Sequence, residues 1–240
     1  RFLLLSSMAS DSSIAGIFWT LTSGGTLLLP RPREEQSIAG IASIIQRQRV
    51  THVLCLPSLY GLLLEHAGAG SFDSLRTVIV AGEACPLDLV SSHHRCLPGV
   101  ALYNEYGPSE ATVWATVAQL GPEAREISIG RPIANATTRV VDSQGREVPI
   151  GMPGELWIGG ASVARGYLGQ RELTANRFVH RFSDPRGSDQ SDPAARFYRS
   201  GDRVRLMPDG ELRFLGRVDN QLKIRGHRVE PEEVERRLLD

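Results

Sequence analysis

Short apolar runs alternate with amphipathic segments in the first half of the chain. Several runs have the length and composition of buried strands: residues 2–5, 26–29, 51–56, 76–80 and 100–103. Helix-like stretches separate them, and one of these places Ile38, Ile41 and Ile45 on a single helical face. The alternation predicts βαβ units and an α/β fold with a mainly parallel sheet.

The pattern changes in the second half. Turn signals such as Asp142-Ser143-Gln144-Gly145 and Pro208-Asp209-Gly210 separate short β-rich runs. One short helix, residues 173–178, interrupts them. Near the end, residues 221–225 alternate as an exposed strand does, and Pro231 begins a helix. This half therefore predicts a small antiparallel or barrel-like β subdomain, followed by a separate terminal segment.

One polar stretch stands at the point where the fifth apolar run ends. Residues 104–110 read Asn-Glu-Tyr-Gly-Pro-Ser-Glu, and the Gly-Pro pair breaks the strand. Ligands of open α/β sheets bind outside the carboxyl ends of the strands. The stretch offers an aromatic ring, an amide and a carboxylate, which can stack on a base, bond its edge and hold a metal. An ordinary loop after a strand is the alternative interpretation.

Composition narrows the class of protein. The 27 basic and 27 acidic residues balance, which gives no electrostatic reason to expect a nucleic-acid partner. Three scattered cysteines favour free thiols in a reducing compartment, and no apolar run is long enough to span a bilayer. We therefore expect a soluble, cytoplasmic protein. His93-His94 near Cys96 fits no zinc spacing, and we interpret this segment as a surface helix.

Four separated segments resemble the core motifs of adenylation domains of nonribosomal peptide synthetases, within the acyl-adenylate-forming (AMP-binding) enzymes. Residues 104–110 resemble NxYGPTE, and residues 154–178 resemble GELxIxG…ARGY…LTxxRF. Residues 198–202 resemble Y(K/R)TGD with Ser in place of Thr, and residues 216–230 resemble GRxDxQVKIRGxRIE. All four occur in the order of the family, and together they cover most of the chain.

The resemblance implies a partial acyl-adenylate-forming fold. Residues 1–125 would be the βα subdomain with the amino-acid pocket and the adenine site, and residues 126–217 the β-rich subdomain. Residues 218–240 would be the hinge and the start of a mobile C-terminal α+β subdomain. The chain begins without Met and ends inside a predicted helix. The family's phosphate loop should precede residue 1 and its catalytic lysine should follow residue 240, so we expect this fragment alone to be inactive.

The resemblance also assigns nucleotide-binding residues. Tyr106 would stack on adenine while Asn104 bonds its exocyclic amine, and Glu110 would help to hold Mg²⁺. Asp202 would accept from both ribose hydroxyls, and Arg217 would contact ribose or phosphate.

Further residues of the same motifs follow. Gly82, next to Glu83, would let the backbone approach the nucleoside closely, and Gly107 belongs to the same nucleotide site. Asp219 lies where the family hinges between two catalytic conformations, and Lys223 lies in the segment that moves with it. The catalytic set implied is Glu110, Arg217, Asp219 and Lys223.

The substrate class depends on Asp11. In amino-acid-activating members of the family, an aspartate at this position pairs with the substrate's α-ammonium group. The alternative is that Asp11 caps the helix that begins near Ile14. The remaining pocket positions implied by the resemblance are Ser12, Ala15, Cys55, Ile79, Ala81, Glu105, Val113 and Trp114.

Glu105 stands out among these positions because a carboxylate in a largely apolar pocket favours a cationic or hydrogen-bonding partner. We therefore expect a polar or basic amino acid, unless Glu105 faces solvent.

The implied reaction is ATP-dependent formation of an aminoacyl-adenylate, followed by transfer to the phosphopantetheine thiol of a peptidyl carrier protein. Neighbouring synthetase domains would be the other partners. An acyl- or aryl-CoA ligase and a non-catalytic synthetase remnant remain alternatives. A dinucleotide-binding oxidoreductase is set aside, because no G-x-G-x-x-G follows any predicted strand.

Overall fold

The structure is a computed structural model that describes residues 1–66, 68, 70–180, 196–219, 221–224, 227–229 and 231–239. These residues pack into two units: Arg1–Glu105 with Ala118–Ile127, and Tyr106–Val117 with Ser128–Asp240. Within those ranges, no helix has the length and apolar character needed to cross a membrane. Four positions of the last motif lie outside the described residues: Asn220, Arg225, Gly226 and Glu230.

A parallel sheet forms the centre of the first unit. Its strands are β1 (Phe2–Leu4), β2 (Leu27–Leu28), β3 (His52–Cys55), β4 (Thr77–Ala81) and β5 (Ala101–Tyr106), the last of which ends in the second unit. They lie in the order β2-β1-β3-β4-β5, and every neighbouring pair is parallel. Since the chain crosses from β2 over β1 to β3, a crevice is expected outside the carboxyl ends of β1 and β3.

Helices connect these strands: α1 (Ser12–Thr22), α2 (Ile38–Arg47), α3 (Pro57–His66) and α4 (Leu87–Cys96). Helix α2 illustrates how the sequence specifies them. The Ser37 hydroxyl accepts a hydrogen bond from the Gly40 N–H at 3.0 Å and so caps the helix. Ile41, Ile44 and Ile45 are buried in the core of this unit, as the apolar periodicity predicts.

Helix α4 differs from its prediction. A surface helix is wrong for His93, which is fully buried. Its Nε2–H donates to the Val100 carbonyl oxygen at 2.8 Å, and its Nδ1 accepts from the Tyr60 hydroxyl at 2.6 Å. Burial lowers the pKa of His93, so the neutral ring satisfies both neighbours. The described residues contain no group of three or more His, Cys, Asp and Glu that could hold a metal.

Antiparallel strands dominate the second unit. They are β6 (Thr116–Gln119), β7 (Arg131–Pro132), β8 (Ala136–Val141), β9 (Pro153–Gly160), β10 (Phe178–His180), β11 (Arg196–Leu206) and β12 (Leu212–Arg217). The main sheet has the order β10-β11-β9-β8, with β12 also paired to β11, and β6 pairs with β7. Helix α5 (Arg171–Arg177) precedes β10, and the last elements are β13 (Leu222–Ile224), β14 (His227–Val229) and α6 (Pro231–Leu239).

The α/β fold class with a mainly parallel first part is thus confirmed. One boundary concerns the candidate site. The sequence predicts a strand that the Gly107-Pro108 pair ends, and β5 ends at Tyr106. Asn104 and Glu105 therefore lie within a strand, where Val80 and Ala81 of β4 are their register partners. Gly107 and Pro108 end the strand, as the sequence predicts.

Candidate active site

A break in the long strand β11 lies at the centre of the second unit's polar site. The pairing register shifts between Arg199 and Arg203 on the β9 side, and Gly201 between them has φ 72°. The Ser200 hydroxyl donates to the Leu156 carbonyl oxygen at 2.6 Å and accepts from the Asp202 N–H at 3.0 Å. This irregularity fixes the orientation of Asp202, as bulges commonly do next to active sites.

Asp202 is the carboxylate around which this site is built, and only 5% of the residue is exposed. Its Oδ1 accepts from the Arg217 guanidinium at 2.8 Å, and its Oδ2 accepts from the Tyr106 hydroxyl. Burial, followed by the negative charge of Asp202, raises the pKa of Tyr106, so the phenol remains a donor. The structure thus brings together three residues that the sequence assigns to nucleotide binding.

Arg217 also links this carboxylate to the predicted hinge. Its Nε and Nη2 donate to the two carboxylate oxygens of Asp219 at 2.8 and 2.7 Å, a bidentate pair. Arg177 approaches the same carboxylate at 3.5 Å. Burial alone would raise the pKa of Asp219, but the Arg217 guanidinium lowers it, so this carboxylate is ionised at neutral pH.

Gly201 allows these charged groups to converge. A Cβ atom at this position would lie 2.7 Å from Arg217 Nη2 and 2.8 Å from Asp219 Oδ2. The Val218 N–H also donates to the Gly201 carbonyl oxygen at 2.9 Å. Because Gly201 has no side chain, Arg217, Val218 and Asp219 can approach its backbone closely.

Glu110 occupies a second polar position in this unit. It lies in a short 3₁₀ helix, Ser109–Ala111, and is only 8% exposed. Its Oε1 accepts a hydrogen bond from the Tyr167 hydroxyl at 2.6 Å, and its carbonyl oxygen accepts from the Ala164 N–H at 2.8 Å. The carboxylate is thus held both through its backbone and through its side chain.

The donor chemistry around Glu110 agrees with a magnesium ion that is bound mainly through phosphate. Mg²⁺ commonly takes one or two carboxylates together with substrate phosphate oxygens and water, rather than a cage of protein ligands. Glu110 is a buried carboxylate, and its oxygen atoms are donors of the kind that Mg²⁺ prefers. The residues present therefore fit the group that the sequence predicts.

The segment after Glu110 has an unusual backbone. Thr112 and Val113 have φ values of 56° and 74°, although both side chains are β-branched. Such conformations cost energy and are found where the surrounding structure imposes them. Here the Thr112 hydroxyl donates to the Ser162 carbonyl oxygen at 2.5 Å, and Val113 and Trp114, both predicted to contact the substrate, are buried.

The predicted substrate residues of the first unit begin at α1. Asp11 stands at the N-cap position of this helix, but its side chain makes no capping hydrogen bond. The capping alternative is therefore not the role of this carboxylate. The Ser12 hydroxyl donates to Ser6 Oγ at 3.0 Å, and Ala15 is half-buried one turn further on.

Three other predicted pocket residues lie on central strands: Cys55 at the end of β3, and Ile79 in the middle and Ala81 at the end of β4. All three are buried, and burial raises the pKa of the Cys55 thiol to about 12, so this thiol is protonated at neutral pH and is not an activated nucleophile. Cys55 ends a strand that borders the crevice expected from the sheet order.

Glu105 lies on β5 beside Ala81 in the strand register. Its Oε2 is buried and has no hydrogen-bond partner among the described residues. Burial raises the pKa of Glu105 to about 8, so the carboxyl group is mostly protonated at neutral pH. The interpretation in which Glu105 faces solvent does not agree with this burial.

The last predicted nucleotide residues of the first unit have different surroundings. Gly82 has φ 86°, which a residue with a side chain rarely adopts. The Glu83 carboxylate accepts from the Ser58 N–H at 3.2 Å, at the start of α3. Asn104 is buried within β5.

Three residues that hydrogen-bond to predicted site residues were not assigned a role from the sequence. Tyr167, Arg177 and Ser200 all belong to the quoted motifs, but only the structure connects them to Glu110, Asp219 and Asp202. The signal for Tyr167 and Arg177 was their place in a recognisable motif. Lys223 lies in β13, and its side chain is outside the described part of the chain.

Comparison with known proteins identifies the class to which this fold and site belong. The family model described as "AMP-binding enzyme" matches residues 1–168. The chain therefore belongs to the AMP-binding enzyme family, and the resemblance to adenylation domains of nonribosomal peptide synthetases is confirmed by its relatives.

Among the curated relatives, the chain is 44% identical to phosphinothricin tripeptide synthetase PhsC of Streptomyces viridochromogenes, over 100% of this chain and 21% of PhsC. It is 37% identical to tyrocidine synthase 3 of Brevibacillus parabrevis, over 97% of this chain and 4% of that protein. The chain thus spans about a fifth or less of the length of these synthetases.

Solved structures of related adenylation domains agree with this family assignment. PA1221, a nonribosomal peptide synthetase protein containing adenylation and PCP domains, superposes with a TM-score of 0.88 at 28% identity, over 99% of this chain and 40% of that chain. The Vibrio cholerae adenylation domain AlmE, solved with glycyl-adenosine-5'-phosphate, has a TM-score of 0.83 at 29% identity, over 97% of this chain and 43% of that chain.

Proposed function

We propose that this chain is part of an enzyme that uses ATP to activate an α-amino acid as its adenylate. A substrate carboxylate oxygen attacks the α-phosphorus of ATP, the bond to the β-phosphate breaks and pyrophosphate leaves. The observation that carries this proposal is the buried carboxylate of Asp202, which is held between Tyr106 and Arg217. Such a carboxylate retains lone pairs for further hydroxyl donors, which is what ribose offers.

In this proposal, residues from several of the sequence motifs bind the nucleotide. Asp202 accepts from the ribose hydroxyls, and the Tyr106 ring stacks on adenine. Asn104 bonds the exocyclic amine of the base through its amide, next to the Gly82–Glu83 turn, and Gly107 keeps the turn after β5 compact. Arg217 would contact ribose or phosphate oxygens, as the resemblance implies.

Glu110 is the proposed magnesium ligand. When it is bound, Mg²⁺ would neutralise charge on the phosphates during the displacement. The chain's own contribution is to present one preoriented carboxylate oxygen from a rigid turn.

The amino acid would be selected by carboxyl groups of the first unit. Asp11 would pair with the α-ammonium group of the substrate, as the resemblance implies. Glu105 is half-buried, and its buried Oε2 has no hydrogen-bond partner among the described residues, which favours a polar or basic substrate side chain. Ser12, Ala15, Cys55, Ile79, Ala81, Val113 and Trp114 would contribute the remaining contacts.

The acyl group would then pass to a carrier protein. The phosphopantetheine thiol loses its proton and attacks the adenylate carbonyl, a thioester forms, and AMP leaves. Asp219 and Lys223 lie in the segment that would rearrange between the two half-reactions, and the Arg217–Asp219 pair would hold one of the two conformations. The three free cysteines agree with a reducing, cytoplasmic compartment.

The test is amino-acid-dependent exchange of pyrophosphate into ATP, measured on the intact adenylation domain that contains this chain. We expect exchange with polar or basic amino acids and a loss of at least about 100-fold in Asp202→Asn, since a buried charged acceptor is removed. The matched control is Asp209→Asn, which removes a carboxylate from an exposed turn. A domain that exchanges only with leucine or phenylalanine would refute the substrate class, and transfer to free CoA rather than to a carrier protein would favour the ligase alternative.

A further inference from the structure

The hydroxyl group of Tyr167 makes a short hydrogen bond to the buried carboxylate of Glu110. The distance from Tyr167 Oη to Glu110 Oε1 is 2.6 Å, and the two residues are 57 positions apart in the sequence. A phenol that donates to a carboxylate forms one of the stronger hydrogen bonds in proteins.

The Tyr167 backbone is fixed by its neighbours. Its N–H donates to the Thr174 hydroxyl at 2.9 Å, in the middle of α5. Gly166 has φ 140°, and a side chain there would collide with the Thr174 side chain. Only glycine therefore lets the chain pass this close to Thr174, so that the next residue, Tyr167, lies beside α5.

The ring of Tyr167 is fixed as well. It packs edge-on against Phe178, with ring centroids 5.4 Å apart. On the Phe178 ring lies the Arg196 guanidinium, 4.7 Å from the centroid. The same guanidinium donates to the carbonyl oxygens of Ala164 and Arg165. The Ala164 N–H donates to the Glu110 carbonyl oxygen. Arg196 therefore contacts both the segment that binds the Glu110 backbone and the Phe178 ring that packs against Tyr167.

We propose that Tyr167 is a positioning residue for the metal-binding carboxylate, whose hydroxyl group holds Glu110 in the orientation that receives Mg²⁺ together with the nucleotide. This inference rests on the proposed function, in which Glu110 is the magnesium ligand. It extends that function by assigning a role to the Ala-Arg-Gly-Tyr segment, which has a place in the motif but no chemistry assigned above.

The physical reason is orientation. A carboxylate side chain has rotatable bonds, and ordering it on binding costs free energy that a pre-existing hydrogen bond removes. Residues that hold a metal ligand in this way typically change metal affinity or activity about 10- to 100-fold when they are replaced. Because Mg²⁺ in nucleotide sites commonly has only one or two protein carboxylates as ligands, the orientation of a single carboxylate has a large effect on the affinity for the metal.

The test compares variants of the intact adenylation domain. Tyr167→Phe removes the hydroxyl group and retains the ring against Phe178. Mn²⁺ binding in the presence of a non-hydrolysable ATP analogue is measured by electron paramagnetic resonance, beside the Mg²⁺ dependence of pyrophosphate exchange. We expect Tyr167→Phe to raise the Mn²⁺ Kd and the half-saturating Mg²⁺ concentration about 10-fold while the amino-acid KM stays unchanged. Tyr103→Phe, which removes a hydroxyl from a half-buried ring in the first unit, is the matched control and should bind Mn²⁺ as the parent does.

The Glu110→Gln variant separates the two hypotheses. If Glu110→Gln weakens Mn²⁺ binding but Tyr167→Phe leaves it unchanged or strengthens it, Tyr167 has no positioning role and the proposed function stands. If Glu110→Gln also binds Mn²⁺ normally, the metal assignment itself is wrong and the role of Tyr167 falls with it. Should Tyr167→Phe fail to fold, Thr174→Val loosens the Tyr167 backbone and retains the phenol. A several-fold rise in Kd then supports the inference, and an unchanged Kd overturns it.

Discussion

At the scale of single residues, the Tyr60–His93 pair shows how a polar contact can belong to a core. Both residues are buried among aliphatic side chains of the first unit, on α3 and α4. The His93 ring uses both nitrogens, one toward Tyr60 and one toward Val100. A buried polar group is tolerated only when it is hydrogen-bonded, so each partner is needed by the other.

We therefore expect Tyr60→Phe to destabilise the protein. The substitution retains the ring but leaves the His93 Nδ1 acceptor buried without its donor, which costs about 1–3 kcal/mol. Urea unfolding followed by circular dichroism should give a lower midpoint with an unchanged denaturant slope. Tyr103→Phe serves as the control, since its ring is only half-buried. Equal stability of Tyr60→Phe and the parent would mean that this hydrogen bond contributes nothing.

At the scale of elements, the turn after β5 sets where the polar residues lie. The Ala115 N–H donates to the Tyr106 carbonyl oxygen at 2.8 Å, which closes a compact turn over Gly107. A Cβ atom on Gly107 would lie 2.8 Å from the Ala115 nitrogen and closer still to the Val113 carbonyl oxygen. The neighbouring groups are backbone atoms, which cannot move aside as a flexible side chain can.

Gly107→Ala should thus strain the element that carries Tyr106 and Glu110. We expect a loss of about 1–3 kcal/mol, the usual cost of overpacking, and a melting temperature several degrees lower by calorimetry. Gly121→Ala is a close control, because a Cβ atom there would have no neighbour within 4 Å. If Gly107→Ala and Gly121→Ala had the same melting temperature, the close backbone contacts at Gly107 would not limit the size of the residue there.

The same elements show what the sequence could and could not predict. Buried strands and the isoleucine face of α2 follow from local periodicity, and their positions were predicted well. The end of β5 was predicted from the Gly107-Pro108 pair. Asn104 and Glu105 are unusual in strands, but their backbones pair with Val80 and Ala81 of β4.

Contacts between distant residues could not be predicted from pattern at all. His93 and Tyr60 are 33 positions apart, and Asp202 and Tyr106 are 96 apart. Neither spacing carries a local signal, so burial of His93 was not expected. The nucleotide residues were named only because their motifs resemble a family, and their mutual hydrogen bonds had to come from the structure.

At the scale of the whole molecule, net charge and exposed apolar surface act together. The chain carries no net charge at pH 7, so repulsion between molecules is weak. Helix α1 exposes Ile14, Phe18 and Leu21, which follow the spacing of one helical face, and Met8 precedes them. Contiguous apolar patches of this kind promote association, whereas single exposed apolar residues do not.

We therefore expect the 240-residue chain to associate at neutral pH in proportion to its concentration, and Phe18→Lys to reduce this association. Phe18 is 61% exposed at the centre of the α1 face, so the substitution interrupts the patch. Leu168→Lys is the control, because Leu168 is fully exposed in the second unit and the added charge is the same. Static light scattering at low ionic strength should give a clearly less negative second virial coefficient for Phe18→Lys than for Leu168→Lys. Since both variants gain one positive charge, an equal change in the two would show that charge alone, and not the α1 face, controls association.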